Sequence, residues 1–60
     1  MNSNINLLYQ VVENIKKDYN DEKNKDTPEV DSEKLALLAN MVPQLTVTYD
    51  ITLEKEQENN

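Results

Sequence analysis

The chain has 60 residues with 12 acidic and 6 basic side chains, a formal net charge of −6, and neither Cys nor His. This composition excludes disulfides and any zinc site built from thiolate or imidazole ligands. It also disfavours direct binding to nucleic acid or an anionic membrane surface, because both depend on clustered positive charge.

The missing residue types argue against catalysis as well. Without His or Cys the chain has no ordinary nucleophile–base pair, and without Gly it has no phosphate-binding loop. We therefore expect no enzymatic activity, no cofactor and no metal site. The default expectation is one small, soluble, cytoplasmic domain covering residues 1–60. Its core would be marginal at this length, so we expect oligomerisation or a partner to stabilise it.

A first helix is predicted at about residues 4–19. Apolar residues follow one another at alternating spacings of three and four, which is typical of an amphipathic helix. They are Ile5, Leu8, Val12, Ile15 and Tyr19. The polar stretch at residues 20–27 predicts a solvated loop.

A second helix is predicted at about residues 28–42. Pro28 suits the first helical position, and Leu35, Leu38 and Val42 share one face. Pro43 is expected to end this helix, because proline disfavours the helical conformation of the residue before it.

A strand is predicted at about residues 45–54, followed by a polar tail at 55–60. Apolar and polar residues alternate strictly along the strand, which favours one dry face. The apolar series is Leu45, Val47, Tyr49, Ile51 and Leu53.

A single strand leaves its backbone hydrogen-bonding groups without partners. We therefore expect an α+β fold, mainly α, in which helix, loop and helix precede one strand that pairs between chains. The expected assembly is a two-fold homodimer or a higher oligomer, with addition to a partner's sheet edge or a disordered segment as alternatives. The expected oligomer interface comprises Ile5, Leu8, Val12, Ile15, Leu45, Val47, Tyr49, Ile51 and Leu53.

Acidic residues form the candidate contact surface for a basic partner protein. The candidates are Asp18, Asp21, Glu22, Asp26, Asp50, Glu54 and Glu56, together with Tyr9. The alternative explanation is that this charge only keeps the chain soluble and prevents aggregation.

The small, acidic, Arg-free chain resembles in style the accessory proteins of bacteriophages and mobile elements in low-GC bacteria. The sequence favours a protein-binding inhibitor or adaptor that occupies a partner surface. Two alternatives remain: a self-assembling structural or scaffold module, and an oligomeric sponge for a small ligand.

Overall fold

The computed structural model describes residues 3–58, which form a helical hairpin. Helix α1 spans Ser3–Lys23, a single 3-10 turn spans Thr27–Glu29, and helix α2 spans Ser32–Glu58. The two long helices run antiparallel and give a slab with extents of 50 × 16 × 12 Å. Neither helix within this described range is long and apolar enough to cross a membrane.

Helix α1 packs on α2 through the stripe that the sequence predicted. Val12 lies at its centre and is only 5% exposed, whereas Ile5, Leu8, Ile15 and Tyr19 are half-buried. The stripe therefore faces the second helix of the same chain. Its spacing of three and four residues is that of an antiparallel coiled-coil seam.

Helix α2 supplies the matching seam, and this seam continues through the segment that was predicted to be a strand. Leu38 is 6% exposed, and the residues on either side of it along the seam are half-buried. In chain order the α2 seam is Leu35, Leu38, Val42, Leu45, Tyr49, Thr52 and Glu56, again at alternating spacings of three and four.

The predicted α+β fold with a C-terminal strand is wrong. Residues 45–54 are helical, and no strand occurs within residues 3–58. In this segment Leu45 and Tyr49 are half-buried against α1, whereas Val47 and Ile51 are exposed. The apolar residues in this segment fit both the period of two of a strand and the period of about 3.5 of a packed helix. Packing against α1 selects the helix, because only the longer period gives α1 a continuous apolar partner.

Strand pairing between chains is wrong for the same reason. Every residue from Ser32 to Glu58 has its backbone in α2, so the segment presents no strand edge to a second chain. The residues predicted as an oligomer interface divide accordingly. Ile5, Leu8, Val12, Ile15, Leu45, Tyr49 and Leu53 are half-buried or buried, and Val47 and Ile51 face outward.

Threonine hydroxyls adapt to the helix by bonding its carbonyl groups. Thr46 Oγ1 donates to the Val42 carbonyl at 2.8 Å, and Thr48 Oγ1 donates to the Gln44 carbonyl at 2.9 Å. Thr52 repeats the pattern with the Thr48 carbonyl at 2.8 Å. Such bonds to the preceding turn let β-branched residues satisfy their polar atoms within a helix.

Pro43 lies inside α2 instead of ending it. Proline lacks the N–H that would bond the Ala39 carbonyl, and its ring crowds the preceding turn, at a typical cost of about 3 kcal/mol. The helix continues because Leu38 and Val42 before the proline, and Leu45 after it, belong to one seam that packs on α1. Tertiary packing here outweighs a local helix-breaking preference.

The helical assignment predicts opposite outcomes for two neighbouring positions. Leu45→Glu places a charge in the seam and should abolish most of the far-UV circular dichroism signal of the helices, because the core is small. Val47→Glu places the same charge in solvent and should preserve that signal. Equal loss of helicity in both variants would contradict the orientation of α2.

Pro43→Ala should raise the free energy of unfolding by about 1–3 kcal/mol, because alanine restores the missing backbone bond and has the best helix propensity. Urea denaturation followed by circular dichroism measures the change. Gln57→Ala is the control at another exposed position of α2 and should change stability by less than about 0.5 kcal/mol. A Pro43→Ala variant no more stable than this control would mean that α2 absorbs the proline without strain.

Candidate protein-interaction surface

The turn between the helices is organised by the carboxylate of Glu22. Its side chain is only 1% exposed although it is charged. Oε1 accepts a hydrogen bond from Lys25 Nζ at 3.0 Å and lies 3.6 Å from Lys34 Nζ, while Oε2 accepts the backbone N–H of Asp31 at 2.8 Å. Both oxygens therefore have partners, as a buried carboxylate requires.

Asp31 caps α2 and connects it to Glu22. Its Oδ1 accepts the backbone N–H of Lys34 at 3.1 Å, and its carbonyl accepts the N–H of Leu35 at 2.9 Å. In a capping box, an acidic side chain at the third helical position bonds the N–H of the cap residue. Lys34 occupies that position here, and Glu22 of α1 bonds the cap instead. The cap is thus completed across the hairpin.

These contacts shift two ionisation equilibria. The Asp31 N–H, followed by the Lys25 hydrogen bond, lowers the pKa of the Glu22 carboxyl below its ordinary value. The hydrogen bond to Glu22 raises the pKa of the Lys25 ammonium above its ordinary value. Glu22 was predicted to contact a partner, but the structure places its carboxylate inside the hairpin turn.

The other candidates near the turn are distributed over exposed surface. Asp21 forms an ion pair with Lys17 at 3.1 Å. Asp18 and Asp26 are exposed on the surface. All four ion pairs within residues 3–58 lie between Glu13 and Lys34. In this half of the hairpin, lysines therefore accompany much of the acidic charge.

The opposite end of the hairpin is acidic without such pairing. We define the acidic end as Asp50, Glu54, Glu56 and Glu58 in the last turns of α2. One lysine, Lys55, lies among these carboxylates, and α1 has no charged residue from Ser3 to Val12. Within the part of the chain that the structure describes, none of the four carboxylates forms an ion pair.

Tyr9 and Tyr49 join the helices beside the acidic end. Their ring centroids are 5.7 Å apart with planes tilted by 58°, a favourable aromatic geometry. Ser3 is six residues before Tyr9, and Lys55 is six residues after Tyr49, so Ser3 and Lys55 lie at about the same level of the hairpin. Glu56 and Glu58 therefore extend past Ser3, where α1 begins. The structure thus brings together Tyr9, Asp50, Glu54 and Glu56 from the predicted contact set.

Sequence reasoning missed an exposed apolar surface on the flank of the hairpin. Leu7 and Leu37 are each 60% exposed, and Val11 and Ile51 are also exposed. A signal for it exists in the sequence, because Leu37, Met41, Gln44, Thr48 and Ile51 repeat at spacings of four and three beside the main seam. The strand prediction concealed this second repeat.

Comparisons with protein-family models, with curated proteins and with solved structures find no match for the chain.

Glu22→Gln should lower the urea midpoint near neutral pH, because the neutral amide loses its attraction for Lys25 and Lys34. The native pKa lies below that of an unfolded glutamate, about 4.3. The carboxylate therefore contributes stability above that pH and loses it as the pH falls through the native value. The difference between wild type and variant should shrink at about pH 2.

Glu13→Gln is the matched control, because it removes one carboxylate of an exposed ion pair, with Lys16, on the same helix. Exposed pairs contribute little, so its midpoint should stay near wild type at both pH values. A Glu22→Gln deficit that is the same in acid as at neutral pH would show that the charge of Glu22 does not stabilise the turn.

Proposed function

We propose that the chain is a non-enzymatic adaptor or inhibitor that binds a basic surface of another protein through its acidic end. The observation that carries the proposal is the group formed by Asp50, Glu54, Glu56 and Glu58, which has no ion pair among residues 3–58. The net charge of −6 gives the whole chain the matching sign.

Like charges on successive turns of one helix repel one another by a few tenths of a kcal/mol per pair. Lys or Arg side chains of a partner would relieve that repulsion and form charge-assisted hydrogen bonds with the carboxylates. Long-range attraction would also accelerate encounter with a basic surface and would be screened by salt.

The geometry favours access to this end of the hairpin. Asp50, Glu54 and Glu58 are exposed, and the last residues of α2 extend past the start of α1. Exposed Tyr9 lies beside them through its contact with Tyr49 and offers an aromatic surface with a hydroxyl, a residue type enriched at binding hot spots.

The turn half of the hairpin supports such a role less well. Its carboxylates at Glu13, Asp21 and Glu22 already have lysine partners within the chain. A partner would need to compete with those lysines. The acidic end is therefore the surface on which a basic partner gains most.

The experiment is affinity capture from a lysate of a low-GC bacterium, with the bait immobilised through its turn. Ser3, where α1 begins, and Glu58, where α2 ends, both lie at or near the acidic end, so a tag attached at either terminus would interfere. The chain has no cysteine, and Asn24→Cys provides one attachment point in the turn. We expect a partner that is retained at low salt and released at high salt.

Two bait variants with the same net charge test whether capture depends on the acidic end or only on the net charge of the chain. Asp50→Asn with Glu54→Gln and Glu58→Gln should lose the partner, whereas Asp18→Asn with Asp26→Asn and Glu29→Gln should retain it. Quantitative mass spectrometry of the eluates measures both. Retention by the first bait, or capture that does not respond to salt, would contradict the proposal.

A further inference from the structure

An apolar strip runs along one side of the hairpin, and no element within residues 3–58 covers it. We define the outer face as Leu7 and Val11 of α1 with Leu37, Met41 and Ile51 of α2. Four of these side chains are exposed, and Met41 is half-exposed.

The outer-face residues share a side because each one immediately precedes a seam residue. Leu7 precedes Leu8, and Val11 precedes Val12. On α2, Leu37, Met41 and Ile51 precede seam residues in the same way. Successive residues of a helix are rotated by about 100° about its axis. In two antiparallel helices whose seams face each other, the residues that precede seam residues therefore lie on the same side of the pair.

The outer face is uncharged over most of its length. Its other members by the same rule are Asn14, Gln44 and Thr48 in the middle. Charges occur only towards the ends, with Asp18, Asp21 and Lys34 near the turn and Lys55 near the open end. The other side of the seam on α1 differs, because Lys16 follows the seam residue Ile15 there.

The hairpin by itself leaves much surface exposed. Its accessible area is 4770 Å², whereas a compact monomer of this mass exposes about 4000 Å². Its radius of gyration is 14.3 Å, compared with about 10 Å for a compact domain of this length. Among the described hydrophobic residues, only Val12 and Leu38 are buried. A further layer would therefore add substantially to the core.

We propose that the outer face binds the outer face of a second copy in antiparallel orientation, forming a four-helix bundle. The broad side of the hairpin measures 50 × 16 Å, and a stable interface uses about 800 Å² on each partner. An interface that covers most of this broad side would therefore reach the required size, and a two-fold axis pairs that side with itself.

Charge selects the antiparallel orientation. This orientation places the two acidic ends at opposite ends of the bundle, whereas a parallel pair would bring eight carboxylates together. This pairing depends on the outer face and not on the proposed binding of a basic partner.

The test is sedimentation equilibrium of the full chain over a concentration series, with two variants of equal charge. Leu37→Lys lies on the outer face, and Ala36→Lys lies one residue away on exposed surface outside it. We expect wild type and Ala36→Lys to form dimers. Leu37→Lys should raise the dissociation constant at least about 100-fold, because a two-fold interface buries the added charge twice.

Cysteine cross-linking tests the orientation without introducing a charge into the face. Gln44→Cys lies near the middle of the hairpin, where an antiparallel axis brings the two copies of this residue close together. Lys55→Cys lies at the open end, where only a parallel pair would do so. Under mild oxidation, a covalent dimer from Gln44→Cys and not from Lys55→Cys is the expected result.

Three results would overturn the proposal: a wild-type chain that stays monomeric at all concentrations, equal dimerisation by Leu37→Lys and Ala36→Lys, or efficient cross-linking of Lys55→Cys. A monomeric chain that still shows salt-dependent capture through Asp50, Glu54 and Glu58 would reject self-pairing alone. Dimerisation without such capture would reject the adaptor proposal alone.

Discussion

The hydrogen bond from the Asp31 N–H to the Glu22 carboxylate closes the hairpin, and the arrangement of both helices depends on it. It fixes the end of α1 against the start of α2, and Lys25 and Lys34 balance the buried charge. Once the turn is fixed, equal rise along two antiparallel helices sets the register. Tyr9 then meets Tyr49 at the other end.

A hairpin of two helices can bury only one stripe from each. The consequence is a thin core with Val12 and Leu38 at its centre and half-buried residues around them. The surface left over has two different characters. One flank carries apolar residues and is uncharged over most of its length, and the open end carries carboxylates that form no ion pair within residues 3–58. Self-association suits the first surface, and a basic partner suits the second.

These two roles are compatible in space. Antiparallel pairing through the outer face would leave Tyr9 and Asp50 accessible, because they lie on the other flank of the seam. The bundle would then present one acidic end at each extremity of a rod about as long as the 50 Å hairpin. Such a dimer could engage two basic sites at once and gain avidity without new contacts.

The sequence by itself determined the first helix as far as Tyr19, although α1 continues to Lys23 through residues predicted as a loop. It also determined the apolar stripe from Ile5 to Tyr19 and the acidic balance of the chain, because these follow from local spacing and composition. It did not determine the state of residues 45–54. This segment contains both a strand-like alternation of period two and the helical seam residues Leu45, Tyr49 and Thr52. Pro43 also suggested that the helix ends before it. Tertiary structure decided for the helix, because α1 offers a continuous partner for that seam. It also decided the role of Glu22, whose contact with Asp31 spans nine residues and has no local signature.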